Sequence, residues 1–159
     1  MLYEALCEIL LDSGSLGGPL PNLFRARLPD EPTGAGVDVA FVPGGGRAPV
    51  KVLGSRPRPG ASWRGPGGTA PHDGGVAWYR TSVQFQVRAA GDSQAQLIDA
   101  SDKADAIRDV LVQYAGETQV LAGERIVRID VTTSTYYLGQ DRRERPMFGL
   151  NVECWHRPD

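Results

Sequence analysis

The sequence predicts an α+β fold: a two-layer sandwich with two helices on one face of a mostly antiparallel sheet of about five strands. Apolar and polar residues alternate along 77–88 and 146–155, which is the period of a half-buried strand. Along 2–12 and 92–115, apolar residues recur every three or four positions, which is the period of an amphipathic helix. Because each helix has a single apolar stripe, we expect both helices on the same face of the sheet.

The first part of the chain predicts one helix and two strands. The helix covers 2–12 and ends at Gly14. Its apolar stripe consists of Leu2, Leu6, Ile9 and Leu10. Strands over 22–28 and 37–42 follow, and each of them ends at a proline.

An extended loop rich in glycine and proline covers 43–75. Ten of its 33 residues are glycine and six are proline, so the loop loses much conformational entropy on ordering and has little to bury. Loops of this length inside a compact domain are usually functional or disordered. Within the loop, 50–53 has the composition of a short strand or an arm.

The same loop carries an excess of positive charge. Its candidates for contact with another subunit are Arg47, Lys51, Arg56, Arg58, Trp63 and Arg64. With Asp73 as its single acid, the loop has a charge of +4, which leaves −6 on the other 126 residues. Three interpretations stay open: a solvated surface excursion, an arm that orders against a neighbouring subunit, and a direct contact with nucleic acid. The last has the least support, since aromatic residues are few and there is no binding motif.

The middle of the chain predicts the longest strand and the longest helix. The strand over 77–88 has one apolar face and one polar face that is either solvated or meets a partner. The helix over 92–115 begins at Asp92 or Ser93 and ends at Gly116. Its core stripe consists of Leu97, Ala100, Ala104, Ile107, Leu111 and Tyr114. Its opposite side carries Asp92, Asp99, Asp102, Asp105 and Asp109. This acidic row is either a solvated face or a surface that docks onto a basic loop.

The last third predicts two strands, 125–131 and 146–155, joined by a polar turn. The apolar face of the second strand carries Phe148, Leu150, Val152 and Cys154. In the turn, we expect Asp141 and Glu144 to be exposed and to form salt bridges with neighbouring arginines. Two arginines of the turn are further candidates for subunit contact, Arg142 and Arg143.

The composition favours a single domain over 1–159 without catalytic or metal chemistry. Cys7 and Cys154 match no metal or redox spacing and are expected to be core thiols. His72 and His156 have no partner at metal or acid–base spacing, so we expect them in a loop or at the surface. We therefore expect no enzyme activity and no cofactor. With no apolar run of about 20 residues and no basic leader, we expect synthesis in the cytoplasm and no membrane contact.

The C-terminal third resembles a known protein family. The run 137–141 (Tyr-Leu-Gly-Gln-Asp), a charged turn and the alternating run 145–152 are similar to the end of the tail terminator proteins of long-tailed bacteriophages. These are also known as tail completion or minor capsid proteins. The order of the upstream elements is similar too, including the alternating strand at 83–88 and the Ala-Ile-Arg helix sequence at 106–108.

The resemblance covers 78–155 reasonably and 1–42 weakly, while the loop over 43–75 is longer than the family pattern. It implies a structural virion protein that forms a ring, commonly a hexamer, at the head-proximal end of the tail tube. Such a ring stops tube polymerisation and then binds the head–tail connector. Its partners would be other copies of itself, the tail tube protein and the connector protein, with DNA at most passing through the lumen. Two alternatives stay open: a head-completion or neck adaptor protein of the same phage, and a small-molecule or peptide binding domain.

Overall fold

A computed structural model describes residues 2–13, 22–25, 28, 38–43, 50–53, 77–114 and 120–158. Its helices are α1 (Leu2–Asp12) and α2 (Gln94–Gln113). Its strands are β1 (Asn22–Arg25), β2 (Asp38–Pro43), β3 (Val50–Leu53), β4 (Ala77–Arg88), β5 (Val120–Leu121), β6 (Glu124–Val131), β7 (Tyr136–Gln140) and β8 (Pro146–Pro158). Most of the basic loop and the helix stop at Gly116 lie outside the described residues, so both stay predictions.

The described strands form one sheet, whose main order is β1-β2-β4-β8-β6-β5. Only β1 and β2 run parallel among them, and the other pairs are antiparallel. The central strand is β8. One edge of it pairs with β4 over 147–156, and the other edge is shared by β7 at 146–149 and β6 at 152–158. The predicted α+β class with a mostly antiparallel sheet is confirmed.

Both helices pack against the same face of the sheet around one hydrophobic core. The buried residues of α1 are Leu2, Ala5, Leu6, Ile9 and Leu10, and the predicted stripe of α2 buries Ala100, Ala104, Ile107 and Leu111. The sheet contributes, among others, Val83, Phe85, Val87, Leu150, Val152 and Cys154. These residues confirm the faces predicted for β4 and β8, because alternate positions of each strand reach the core.

A β-bulge lets β6 keep two isoleucines in the core. The register of β6 on β8 shifts between Ile126 and Arg128, so that Ile126 lies opposite His156 and Ile129 lies opposite Cys154. Residues three apart on a regular strand point to opposite faces, yet both isoleucines belong to the core. The extra residue of the bulge turns the Ile129 side chain back to the face that carries Ile126.

Two short strands were not predicted, and they change the hairpin expected at the C-terminus. The residues next to β8 in sequence form β7, so the charged turn joins β7 to β8 rather than β6 to β8. The alternation of β7 is hidden because its register shifts between Tyr137 and Gly139, and Gly139 has a φ of 103°. In the other short hairpin, β5 turns into β6 through Ala122 and Gly123, which both have positive φ, as tight hairpin turns require.

The start of α2 is confirmed at one of the two predicted caps. The Ser93 hydroxyl accepts a hydrogen bond from the backbone N–H of Gln96, whose side chain accepts one from the Ser93 N–H in return. This reciprocal capping box satisfies two backbone donors that the helix itself cannot pair. At the other end, the Tyr114 hydroxyl donates a hydrogen bond to the Ile126 carbonyl and ties the helix end to β6. Neither described helix has the length and apolar character to span a bilayer.

Candidate subunit-contact surfaces

The acidic row of α2 is divided into two parts by Arg108. Its guanidinium lies 2.8 Å from a carboxylate oxygen of Asp105 and 2.8 Å from one of Asp109. Asp99 and Asp102 lie one to two turns earlier and are both exposed. The sequence grouped these acids as one surface, whereas the structure leaves the first two outside the Arg108 cluster.

The two helices together form a negatively charged layer. Seven acidic and two basic side chains, one of them the buried Lys103, give α1 and α2 a net side-chain charge of −5. None of the three charged residues of α1 is basic. The helix layer therefore carries more negative charge than the whole chain, whose net charge is −2.

Of the basic candidates in the loop, only Lys51 belongs to the described residues. Lys51 belongs to β3 and lies opposite Tyr79 of β4, so the expected short strand within the loop is confirmed. The remaining candidates of the loop lie outside the described residues: Arg47, Arg56, Arg58, Trp63 and Arg64. Their docking onto an acidic surface stays a prediction, and His72 lies outside the described residues as well.

The turn between β7 and β8 is built around Asp141. One of its carboxylate oxygens accepts hydrogen bonds from the backbone N–H groups of Arg143 and Arg145, and the other lies 2.7 Å from Arg145 Nη2. The expected salt bridge is confirmed for Asp141, but this carboxylate is only 15% exposed and the Arg145 side chain is 4% exposed. The expectation of an exposed Asp141 was therefore wrong, because the backbone of the turn folds over it.

The environment of Asp141 lowers its pKa. Burial by itself would raise it, but hydrogen bonds from the Arg145 side chain, from the backbone of Arg145 and Arg143, and the charge of Arg145 outweigh burial. Arg142, Arg143 and Glu144 at the tip are exposed. Glu144 has a φ of 60°, which a non-glycine residue adopts only where its surroundings require it. The tip thus presents two arginines on a turn held by buried ionic contacts.

A buried ion pair connects this turn, through Arg88 of β4, to Asp38 of β2. Arg88 Nη2 lies 2.6 Å from Asp38 Oδ2, and Arg88 Nη1 lies 3.6 Å from Asp141 Oδ2. The sequence placed Arg88 on the polar face of β4, yet its side chain is only 4% exposed. Burial is possible because Asp38 stands directly opposite Arg88 in the β2–β4 register.

Polar side chains form a network on the face of the sheet opposite the helices. The Tyr136 hydroxyl accepts hydrogen bonds from Gln84 Nε2 at 2.7 Å and from Asn151 Nδ2 at 3.1 Å, and Gln86 Nε2 donates to Gln84 Oε1. The network spans three strands, β7, β8 and β4. The polar face predicted for β4 is therefore internally bonded, which fixes its side chains before any partner binds.

His156 is buried, contrary to its expected surface position. Its ring nitrogens lie 2.8 Å from Thr81 Oγ1 and 2.9 Å from Glu124 Oε2. This order of hydroxyl, imidazole and carboxylate is also that of a nucleophilic triad. Each of the three residues is 9% exposed or less, however, so their mutual hydrogen bonds hold three neighbouring strands together.

Both cysteines are free thiols, and the expected core position is confirmed for Cys154, whereas Cys7 is half-buried and packs against the core. Cys154 belongs to the core, and burial raises its pKa to about 12, so the thiol stays protonated near neutral pH. Burial also raises the pKa of Cys7. Within the described part of the chain, no group of three or more His, Cys, Asp or Glu side chains could hold a metal ion.

A groove opens where the C-terminal ends of both helices approach β5. Its volume is about 350 Å³. It is lined by Ile9, Asp12, Ser13, Val110, Gln113, Tyr114 and Leu121. No sequence pattern pointed to this groove, because its walls come from three separate elements.

Comparison with known proteins shows a structural likeness to a chain of a virion. No family model and no curated protein matches the sequence. In the solved virion of a native gene transfer agent particle, one chain matches with a TM-score of 0.52 and 16% sequence identity. The match covers 98% of this chain and 93% of that chain. The two chains therefore share a fold along almost their whole lengths.

Proposed function

We propose that this protein is a structural virion component that forms a ring at the head-proximal end of a phage-like tail. In this role it stops polymerisation of the tail tube and then binds the head–tail connector. The observation that carries the proposal is the fold shared with a chain of a gene transfer agent virion over 98% of this sequence. The similarity of 137–152 to phage tail terminators supports the same role independently of the fold.

The surface chemistry supports a role in assembly rather than catalysis. A closed ring needs two different, complementary surfaces on each copy, repeated around an axis. The helix layer with its charge of −5 and the arginine tip of the β7–β8 turn are two such surfaces. The only hydroxyl–imidazole–carboxylate chain found among the described residues is buried, so we propose no enzymatic role for it.

A neck adaptor on the portal side is the second candidate, because a fold shared with a virion chain suits a role on either side of the head–tail joint equally. The two roles differ in what happens when the protein is lost. Without a terminator, the tail tube has no stop signal and its length becomes variable. Without an adaptor, tails keep one length and only their attachment to heads fails.

The experiment is to inactivate the gene in a particle-producing strain and to measure tail lengths by electron microscopy. The terminator role predicts tails of variable, mostly excessive length that are not joined to heads, with recovery when the intact gene is supplied in trans. Tails of uniform normal length, free of heads, would favour the adaptor. Normal joined particles would contradict both roles.

A further inference from the structure

We infer that the groove at the helix ends binds the tip of β7 from a second copy of this chain. The inserted surface, called here the β7 surface, consists of Tyr137, Leu138, Arg142 and Arg143. This inference rests on the proposed ring and names the contact that closes it. It gives the groove an occupant of defined chemistry, two apolar side chains followed by two arginines.

The groove and the β7 surface both present apolar side chains. Among the residues whose side chains the structure describes, six large apolar side chains are exposed: Leu11, Ile98, Val112, Val120, Tyr137 and Leu138. Tyr137 and Leu138 are the two that are adjacent in sequence, and they precede the exposed arginines of the turn. The lining of the groove offers them Ile9, Val110 and Leu121. Adjacent exposed apolar side chains indicate a contact site.

The β7 surface is held rigid enough to act as the inserted part. The Tyr137 ring packs edge-on against Phe148, with ring centroids 5.6 Å apart, yet the residue stays 54% exposed. Leu138 lies at the register shift of β7, and the turn that follows is fixed by Asp141. Because the Tyr137 ring and the backbone of the turn are positioned before contact, their ordering on binding costs little conformational entropy.

The two surfaces lie at opposite ends of the sheet. Tyr137 pairs with Phe148, whereas the groove residue Tyr114 donates to Ile126, which pairs with His156. Eight residues of β8 separate these two levels, which corresponds to roughly 26 Å at about 3.3 Å per residue. One copy cannot bring the two surfaces together in this conformation. Contact between copies therefore joins two different surfaces, as the head-to-tail interface of the proposed ring requires.

Charge favours the same pairing. The groove is lined by Asp12 and belongs to a helix layer whose charge is −5. The β7 surface brings Arg142 and Arg143, both exposed. Opposite charges at the rim of an interface mainly raise the association rate and fix the orientation of the partners.

Site-specific cross-linking tests the contact directly. A benzophenone amino acid replaces Tyr137 in the full chain, and assembled tails are irradiated and separated by mass. We expect a covalent dimer of this chain whose attachment site maps to 8–13, 110–114 or 120–121. Attachment elsewhere in the dimer would overturn the inference. So would adducts only with the tail tube or connector protein, or the absence of any cross-linked dimer.

A matched pair of substitutions on α2 separates the groove from the general surface. Gln113 lines the groove and Gln94 does not, and both side chains are exposed. Gln113→Lys should weaken self-association, because it places a cation in the groove that is to receive Arg142 and Arg143. Gln94→Lys should leave self-association unchanged, and both variants should keep the parent unfolding temperature. Equal effects of the two variants on association would contradict a contact at the groove.

Charge reversal provides a rescue test. Arg142→Glu with Arg143→Glu should lower the yield of the cross-linked dimer, and adding Asp12→Arg to the same chain should restore part of it. Failure to restore the yield, with all variants folded, would contradict the pairing. If tails carry a ring of this protein but the cross-link maps elsewhere, the proposed function stands and only the inferred contact fails. If the protein is absent from tails, both fail.

Discussion

The ring of Tyr136 lies directly against Gly149 of the neighbouring strand. A Cβ atom added at Gly149 would stand 2.7 Å from Tyr136 Cζ, closer than such atoms approach in proteins. This contact lets the Tyr136 hydroxyl cross β8 and reach Gln84 on β4. Glycine is required here by the space that the tyrosine occupies, not by an unusual backbone angle.

We expect Gly149→Ala to destabilise the protein by about 1–3 kcal/mol, because the methyl group displaces Tyr136 from two hydrogen bonds. Chemical denaturation measures the loss. In a Tyr136→Ala background the same substitution should cost much less, since the space is then vacant. A cost that is equal in both backgrounds would show that Tyr136 is not the reason for the glycine.

Leu150 is fully buried in β8 on the face that meets the helices. Leu150→Ala should lower the free energy of unfolding by about 2–5 kcal/mol, through lost transfer free energy and the cavity left behind. Thermal and urea unfolding provide the measurement. Leu138→Ala, at an exposed position, is the control and should leave stability nearly unchanged. A Leu150→Ala protein as stable as its parent would mean that the strand faces are assigned wrongly.

Loss of the buried pair of Arg88 and Asp38 should reduce stability far more than loss of a half-buried pair of the same length. Arg88→Met leaves a carboxylate buried without its main partner, and we expect a loss of about 3–5 kcal/mol. Arg128, 2.6 Å from Asp130 with side chains 17% and 32% exposed, is the matched control. Arg128→Met should cost only about 0–1 kcal/mol. Similar losses in both variants would contradict the role assigned to burial.

The lowered pKa of Asp141 predicts how acid affects stability. The surroundings of Asp141 in the folded protein favour its charged form. Its contribution to stability is therefore complete at pH values above its ordinary pKa of 3.8. That contribution is lost as the pH falls through the lower pKa of the folded state. Asp141→Asn should therefore destabilise the protein at pH 7, and the difference from the parent should shrink below about pH 4. Glu144→Gln, in the same turn, is the control for charge alone, and a difference independent of pH would refute the account.

The parts of the fold with a visible period could be predicted from the sequence. The faces of β4 and β8 and the core stripe of α2 follow from alternation and from helical spacing, and Asp141 was rightly assigned a salt bridge within its turn. The pairing register between strands that are distant in sequence could not be predicted from these periods. His156 meets partners that are 32 and 75 residues away in sequence, so no local spacing indicates its burial.

The same limit applies to the candidate contact surfaces. Each side of the groove contains only ordinary residues of a helix end or a short strand, and the recess exists only when three elements meet. The β7 surface was hidden because a register shift interrupts the alternation around Leu138. By contrast, the acidic side of α2 and the arginines of the turn were visible in the sequence, since they depend on composition alone.

The most direct test of the ring is the number of copies of this protein in assembled tails. Quantitative mass spectrometry against the tail tube protein gives that number, and electron microscopy of tails labelled on this chain gives its position. We predict a cyclic number of copies, six, in a single layer at the head-proximal end of each tail. A single copy per particle, or copies spread along the tube, would contradict the proposal.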